Sequence, residues 1–371
     1  MSNTNQKPVN PYNYGIELMR IVSMLMVVTL HVLGQGGVLP NCLEGSIQYH
    51  VAWSIEIVCY CAVNCYALIS GFVMVDGEFR YGKIVPLWLQ AVFYSLGITI
   101  VFLIVAPQQI GLFNIVSGVF PVLTLQWWYF TAYVGMYFLI PFLNFLINKL
   151  KKKELIMLAT TLIVLFSIIG TLAKPVGGDV FGTDGGYSLL WLSVLYVLGA
   201  IFKKFEPEIQ DILKQYKHCK AWVALVGMVF ILITILFHNV AVYIPGEVIG
   251  RDILQNILID YRSPTVLGFA ICLLLLFSNI KIHNRRFKDF LKCVGKLSFG
   301  VYLIHTHLLI WSTIMKDRFV SFAKMPVYQM VPCIIGTVIG IFVICIMIEA
   351  VRNKLFDLLR IRERVLKCVK W

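Results

Sequence analysis

The sequence predicts an all-α, polytopic membrane helical bundle of about ten transmembrane helices, with cytoplasmic N- and C-termini. Three observations carry that prediction. The 371-residue chain is 59% hydrophobic and only 14% charged, with a mean hydropathy of +0.82, which is more apolar surface than one soluble core can hide. Apolar runs near the roughly 20 residues that cross a bilayer recur from end to end, separated by polar or glycine- and proline-containing joints. The basic residues, finally, fall in alternate joints.

In order, the spans are expected near 14–33, 49–75, 84–106, 126–147, 155–172, 187–202, 221–239, 263–279, 297–315 and 328–350. With a cytoplasmic N-terminus, the inner segments hold 25 of the 32 Lys and Arg: Lys7, Arg80 with Lys83, 149–153, 203–220, 281–296 and 352–370. The outer segments hold six, and only Arg20 sits inside a span. This asymmetry supports both count and orientation, because a missed helix would invert it downstream. It also accounts for the net charge of +13 through the membrane, without a nucleic-acid partner.

The first span reads as retained, since no small-residue cleavage site follows it. One transmembrane domain is expected over 1–350, followed by a basic amphipathic cytoplasmic tail over 351–371. Three cytoplasmic segments carry the pattern of short interfacial helices: Ile209 to Tyr216, Phe287 to Val294, and the tail with Leu355, Leu358, Leu359, Leu366 and Val369. Their partner is membrane lipid. Ten cysteines show no CxxC pair and no Cys/His spacing for zinc, so no metal is expected. The glycine-rich outer joint "AKPVGGDVFGTDGGYS" reads as a flexible loop whose Asp179 and Asp184 suit contact with sugar hydroxyls.

An ionisable group within a span is costly and normally faces the bundle interior or a wet cavity. Arg20 and His31 stand eleven residues apart on the first span. Eleven steps of about 100° return to nearly the same face after a rise of roughly 16 Å. They line two depths of one stripe, with Glu17 placed to pair with Arg20. On the second span Glu56, Tyr60, Asn64, Ala67 and Gly71 form a polar and small-residue stripe. Glu56 or His50 is positioned to orient the His31 imidazole or to help move its proton. His305 lies midway through the ninth span and Glu349 near the inner end of the tenth. For His307 and His50 simple hydrogen bonding to a neighbour suffices, and Glu349 is as well explained by reaching to the interface.

Arg20 to His31, "VNCYALISGF", Arg80 and Lys83 leading into Pro86, "QWWYFTAYVGMYFLIP", "GKLSFGVYLIHTHLL" and "IEA" at Glu349 occur in that order along nearly the whole chain. Together they resemble the acyltransferase 3 family of bacterial integral-membrane acyltransferases. There are departures: Lys83 stands for an arginine, so a bidentate phosphate contact becomes a point charge. Ala350 and Val351 replace a basic residue and proline. The bundle is expected to do the chemistry without the hydrolase-like domain that longer members carry.

The resemblance implies transfer of an acyl group, usually acetyl, from cytoplasmic acyl-CoA to a hydroxyl of a cell-surface polysaccharide or lipid-linked glycan precursor, at the plasma membrane. Arg20, Arg80 and Lys83 would then hold CoA phosphates. His31 would act as general base or carry the acyl group, with Glu56 assisting and His305 stabilising an oxyanion or holding the acceptor. Glu17, Asn64, Ser70, Trp127, Trp128, Tyr129 and Glu349 would shape the cavity. The alternative is a transporter or exporter of a polar substrate through the same polar-lined bundle. Binding of acetyl-CoA at the inner basic cluster discriminates the two.

Overall fold

A computed structural model describes residues 12–216, 218–244, 251–361 and 364. Lys7 and the tail positions Leu366 and Val369 lie outside the described residues. Among those described there are helices and turns but no strand.

Helix α1 spans Tyr14–Leu33. Asn13 caps it by accepting from the Gly15 and Ile16 N–H groups, which satisfies two of the donors that a helix start leaves free. The two hydroxyls between Arg20 and His31 are absorbed by the helix itself. Ser23 donates to the Met19 carbonyl and Thr29 to that of Leu25, so neither needs another partner in an apolar setting.

The second span is broken. It comprises α2, Ile47–Cys59, and α3, Ala62–Met74, separated at Tyr60 and Cys61. Next come α4, Ile84–Val105, α5, Leu112–Val119, and α6, Trp128–Lys149. Helix α7, Lys152–Leu162, continues as a wider π turn to Ile169. Then follow α8, Leu189–Lys204, α9, Glu206–Gln215, α10, Cys219–Val242, and α11, Pro264–Ser278. Last are α12, Arg285–His305, and α13, Val327–Leu358.

Among the described residues, seven helical stretches are long and apolar enough to cross a membrane, or eight if α12 and Leu308–Met315, bent by 59° at the break, form one span. This falls short of ten. The expected spans at 187–202 and 263–279 are helices of 16 and 15 residues, too short to cross on their own at 1.5 Å per residue. Helix α8 is buried throughout from Trp191 to Ile201, because α3 comes close enough to touch backbone. A Cβ on Gly71 would strike the Tyr196 carbonyl, and one on Gly199 the Leu68 carbonyl. Small residues of this kind let two helices gain dispersion contact where lipid gives no hydrophobic drive.

Of the three segments expected to be short helices, one, α9, is a separate element, whereas Phe287 to Val294 form the first turns of α12 and Leu355 and Leu358 the last of α13. Helix α13 runs on past residue 350 to Leu358, with Arg352 buried.

The glycine-rich joint is pinned rather than free. Arg262 donates to Asp179 at 2.5 Å and to Asp260 at 3.0 and 3.1 Å, and Asp179 also accepts from Thr183 and from the Asp184 backbone. Burial pushes the Asp179 carboxyl up, but the hydrogen bonds from Thr183 and Asp184 and the Arg262 charge outweigh it and hold the group below its ordinary value. The clasp's contribution to stability is therefore complete above the ordinary Asp value of about 4 and fades as pH falls through the lowered one. Proteolysis at 177–186 should stay slow down to about pH 4 and accelerate below it. Asp179→Asn should remove that dependence.

Candidate active site

Opposite ends of the bundle differ in character. The start of α1, the start of α12 and the end of α13 meet at one end, here the basic end. Asn13 donates to the Ser278 carbonyl there. At the far end the turn after α1 is tied to the segment after α12 by Asp317 N–H to Gln35 and Phe319 N–H to Gly36.

Near that far end His31 meets His305. His31 Nδ1 lies 2.8 Å from His305 Nε2, and His305 Nδ1 lies 2.5 Å from the Val301 carbonyl oxygen. A carbonyl only accepts, so His305 carries its proton on Nδ1. With both rings neutral, His305 Nε2 is the acceptor and His31 Nδ1 the donor. His31 Nε2 is thereby left with its lone pair, the form a base or nucleophile requires. The indole of Trp311 stands edge-on to His31 with centroids 4.8 Å apart, and Gln35 holds Trp311 by its carbonyl at 3.0 Å.

His31 stands at the junction of two cavities. The larger, about 510 Å³, is lined on the far side by Glu56, Tyr60, Gln126, Trp127, Tyr187 and Trp311. The smaller, about 60 Å³, runs towards the basic end past Met24, Val63, Tyr66, Tyr129 and Phe299. Leu30, His31, Trp128, Tyr261 and Tyr302 line both. The larger chamber is walled by packed rings: Trp128 on Tyr187 at 4.6 Å, Tyr60 on Tyr261 at 4.8 Å and Tyr187 on Tyr261 at 4.9 Å.

At the inner limit of the narrow crevice the Tyr66 hydroxyl donates to the Arg20 carbonyl at 2.8 Å. Arg20 Nη1 donates to both Glu17 oxygens at 2.9 Å, and its Nε and Nη2 have no hydrogen-bond partner among the described residues. Glu17 is buried, and it fits only because Gly295 on α12 has no side chain, since a Cβ there would overlap the carboxylate. Gly300, one and a half turns on, clears the same kind of space for Glu349. The spacing of the two glycines in "GKLSFG" thus seats two carboxylates against one helix.

Of the residues singled out in the sequence, the structure brings His31, Glu56, Trp127, Trp128 and Tyr129 to the two cavities and His305 against His31. Neither Glu56 nor His50 hydrogen-bonds His31. The orienting partner is His305, and His50 instead bonds Asn239 and Tyr243. Glu56 Oε2 is buried without a hydrogen-bond partner.

The remaining candidates lie elsewhere. Asn64 is a buried clamp, donating to the Tyr261 carbonyl at 2.7 Å and accepting from the Trp191 indole at 3.1 Å, so it lines neither cavity. Ser70 bonds back to its own helix at Tyr66. The break at Tyr60 divides the expected polar stripe, sending Glu56 and Tyr60 to the chamber and Asn64 and Gly71 to packing. Glu349 does not reach for the interface. It is buried in an ion pair with Arg352 and accepts from Tyr94 at 2.6 Å. Arg80 and Lys83 are exposed and share Glu78, with no contact to Arg20. His307 is satisfied by the Leu309 N–H and the Ser95 carbonyl.

Sequence reasoning did not single out Trp311, Gln35, Tyr261 or Tyr302. Their aromatic and amide side chains carry no signal until the fold groups them. Nor did it pair His31 with His305, although both were flagged and lie 274 positions apart.

A family model described as an acyltransferase domain matches residues 13–346, from the α1 cap into the second half of α13. No curated protein and no solved structure gives a significant match. The match takes in both histidines, both cavities and the Glu17–Arg20 pair, and by it the chain belongs to the acyltransferase 3 family of membrane acyltransferases.

Proposed function

We propose that the protein is a membrane O-acyltransferase that moves an acyl group, in the simplest case acetyl, from cytoplasmic acyl-CoA to a hydroxyl of a cell-surface polysaccharide or lipid-linked glycan precursor. The observation that carries this reading is the His31–His305–Val301 hydrogen-bond chain at the junction of two cavities. A neutral imidazole so held presents its Nε2 lone pair in a fixed direction, which is what general-base or nucleophilic catalysis needs.

In this scheme the donor approaches from the basic end. Arg20 keeps Nε and Nη2 for a phosphate oxygen while Glu17 fixes its other arm. Arg80 and Lys83, exposed at the same end, add attraction for the polyanionic nucleotide. A pantetheine arm has a length of the order of the roughly 16 Å rise from Arg20 to His31. The crevice of about 60 Å³ holds no more than about two waters, so passage requires Tyr66, Phe299 and Tyr302 to rotate aside. In the step itself His31 Nε2 takes the acceptor's hydroxyl proton. The oxygen then attacks the thioester carbonyl, the C–S bond breaks, and the proton passes to the departing thiolate.

The acceptor occupies the larger chamber. Its aromatic walls suit the apolar faces of a sugar ring, and Glu56, Gln126 and Gln35 suit its hydroxyls. No metal enters this scheme.

Cells lacking the gene should lose base-labile acyl esters from their surface glycan. Wild-type protein should restore them, and His31→Ala at equal membrane abundance should not. Undiminished esters with His31→Ala would end this reading. Acetyl-CoA should raise the melting temperature of purified wild-type protein, and its failure to do so would favour a transporter.

A further inference from the structure

A groove of about 810 Å³ at the basic end, between the start of α4, the start of α12 and the end of α13, belongs to neither side of the His31 site. It shares no lining residue with the chamber or the crevice.

Its chemistry is of two kinds. Lys292, Lys296, Arg352 and Lys354 line it, against Asp289 and Asp357. Arg352 is committed to Glu349 and Lys292 lies over the Tyr12 ring at 5.9 Å. Lys296 and Lys354 are exposed and have no ion-pair partner among the described residues. The floor is apolar, with Pro86, Leu87, Leu297, Ala350 and Phe356. Gln90 also lines the groove, is only 6% exposed, and has an amide nitrogen without a hydrogen-bond partner. Leaving such a donor buried and unmade costs free energy that a ligand oxygen would recover.

The flanks of the groove continue into apolar outer surface. Trp88 on α4 and Val351 and Leu355 on α13 are exposed next to lining residues, as expected of faces that meet lipid near the headgroup level. Cations above an apolar floor that opens sideways suit a ligand with an anionic head and a hydrocarbon chain. A free phosphate would use the cations and leave the floor bare.

We propose that this groove is a binding site for a phosphate-headed lipid drawn from the surrounding leaflet. The headgroup lies between Lys296 and Lys354, a phosphate oxygen accepts from the Gln90 amide, and the first part of the chain lies over Pro86, Leu87 and Phe356. Basic pockets between membrane helices hold anionic headgroups by this combination. The site stands independently of the acyl-transfer reading.

The test uses full-length protein in phosphatidylcholine nanodiscs doped with phosphatidylglycerol, released into native mass spectrometry. Wild-type protein should retain phosphatidylglycerol in preference to phosphatidylcholine. The Lys296→Glu/Lys354→Glu variant should lose that preference by roughly tenfold or more, since each basic contact to an anionic headgroup contributes about a factor of five. Both lysines are exposed, so the exchange leaves the core intact. Gln90→Leu, which keeps the charge, should retain less lipid than wild type and more than the double variant. Equal retention by wild type and both variants would overturn the proposal. So would displacement of the bound lipid by inorganic phosphate or CoA at millimolar concentration, which would make the groove a site for a soluble phosphate.

Discussion

Replacing His31 by alanine should lower turnover of purified protein by about 10²- to 10⁴-fold, the range set by removal of a positioned general base, with little change in KM for acyl-CoA. The more informative variant is His305→Ala. His305 lines neither cavity and hydrogen-bonds His31, so a purely packing role predicts a loss of stability and unaltered chemistry. The hydrogen-bond chain predicts the reverse pattern. Without an acceptor on its Nδ1 side, the His31 ring is free to rotate and to place its proton on Nε2, where it blocks the lone pair. Loss of the orienting partner of a catalytic imidazole costs up to about 10⁴ in serine hydrolases, and a fall of about 10² to 10⁴ in kcat is expected here. His305→Gln restores a carbonyl oxygen that accepts from His31 Nδ1, so it should recover at least part of the lost turnover. Steady-state kinetics with acetyl-CoA and a soluble glycan acceptor, alongside melting temperatures, reads all three variants. Turnover that survives His31→Ala would remove the imidazole from the reaction, and equal losses in His305→Ala and His305→Gln would reduce His305 to a packing residue.

How much of this was legible without coordinates depended on whether a signal was local. The Arg20 to His31 stripe needs only helical periodicity and a continuous α1, and Tyr14–Leu33 is continuous. Ten apolar segments could be placed, but a segment's apolarity does not say whether lipid or protein covers it. Helix α8 is apolar, yet it is only 16 residues long and is buried by other helices from Trp191 to Ile201. The break at Tyr60 was hidden for a related reason: no glycine or proline marks it, and the periodic stripe reads straight across. Contacts between distant positions were the least accessible. Nothing in "HVL" or "IHTH" states that His31 and His305 share a hydrogen bond, and Glu56 was the more obvious partner because it lay on the neighbouring span. The family resemblance fixed which residues to look at, whereas the tautomer and the two-cavity junction needed the packed structure.

The Glu349–Arg352 pair shows what such an oversight conceals, and it sets the largest expected effect on stability. Read from the sequence, Glu349 lay near the inner end of a span and Arg352 in a basic amphipathic tail. In the structure α13 continues to Leu358, the two stand one turn apart and almost wholly buried, and Arg352 Nε donates to Glu349 Oε2 at 3.0 Å with Nη2 on Oε1. Tyr94 from α4 adds a third donor at 2.6 Å, so the carboxylate joins three helices through the space that Gly300 leaves on α12. Removing one partner of a buried pair strands the other charge, which typically costs about 3–5 kcal/mol, a large fraction of a domain's net stability of about 5–15 kcal/mol. Glu349→Leu should therefore sharply reduce the yield of folded protein and its melting temperature in detergent. Glu349→Gln, which still accepts from Tyr94 and Arg352, should cost less. The decisive variant is Glu349→Leu/Arg352→Met, in which no charge is left buried. If the single-variant penalty is desolvation of an orphaned guanidinium, the double variant should regain most of the lost stability. If the double variant melts as low as Glu349→Leu alone, the carboxylate stabilises the bundle through Tyr94 and its packing against α12, and Arg352 is incidental to it.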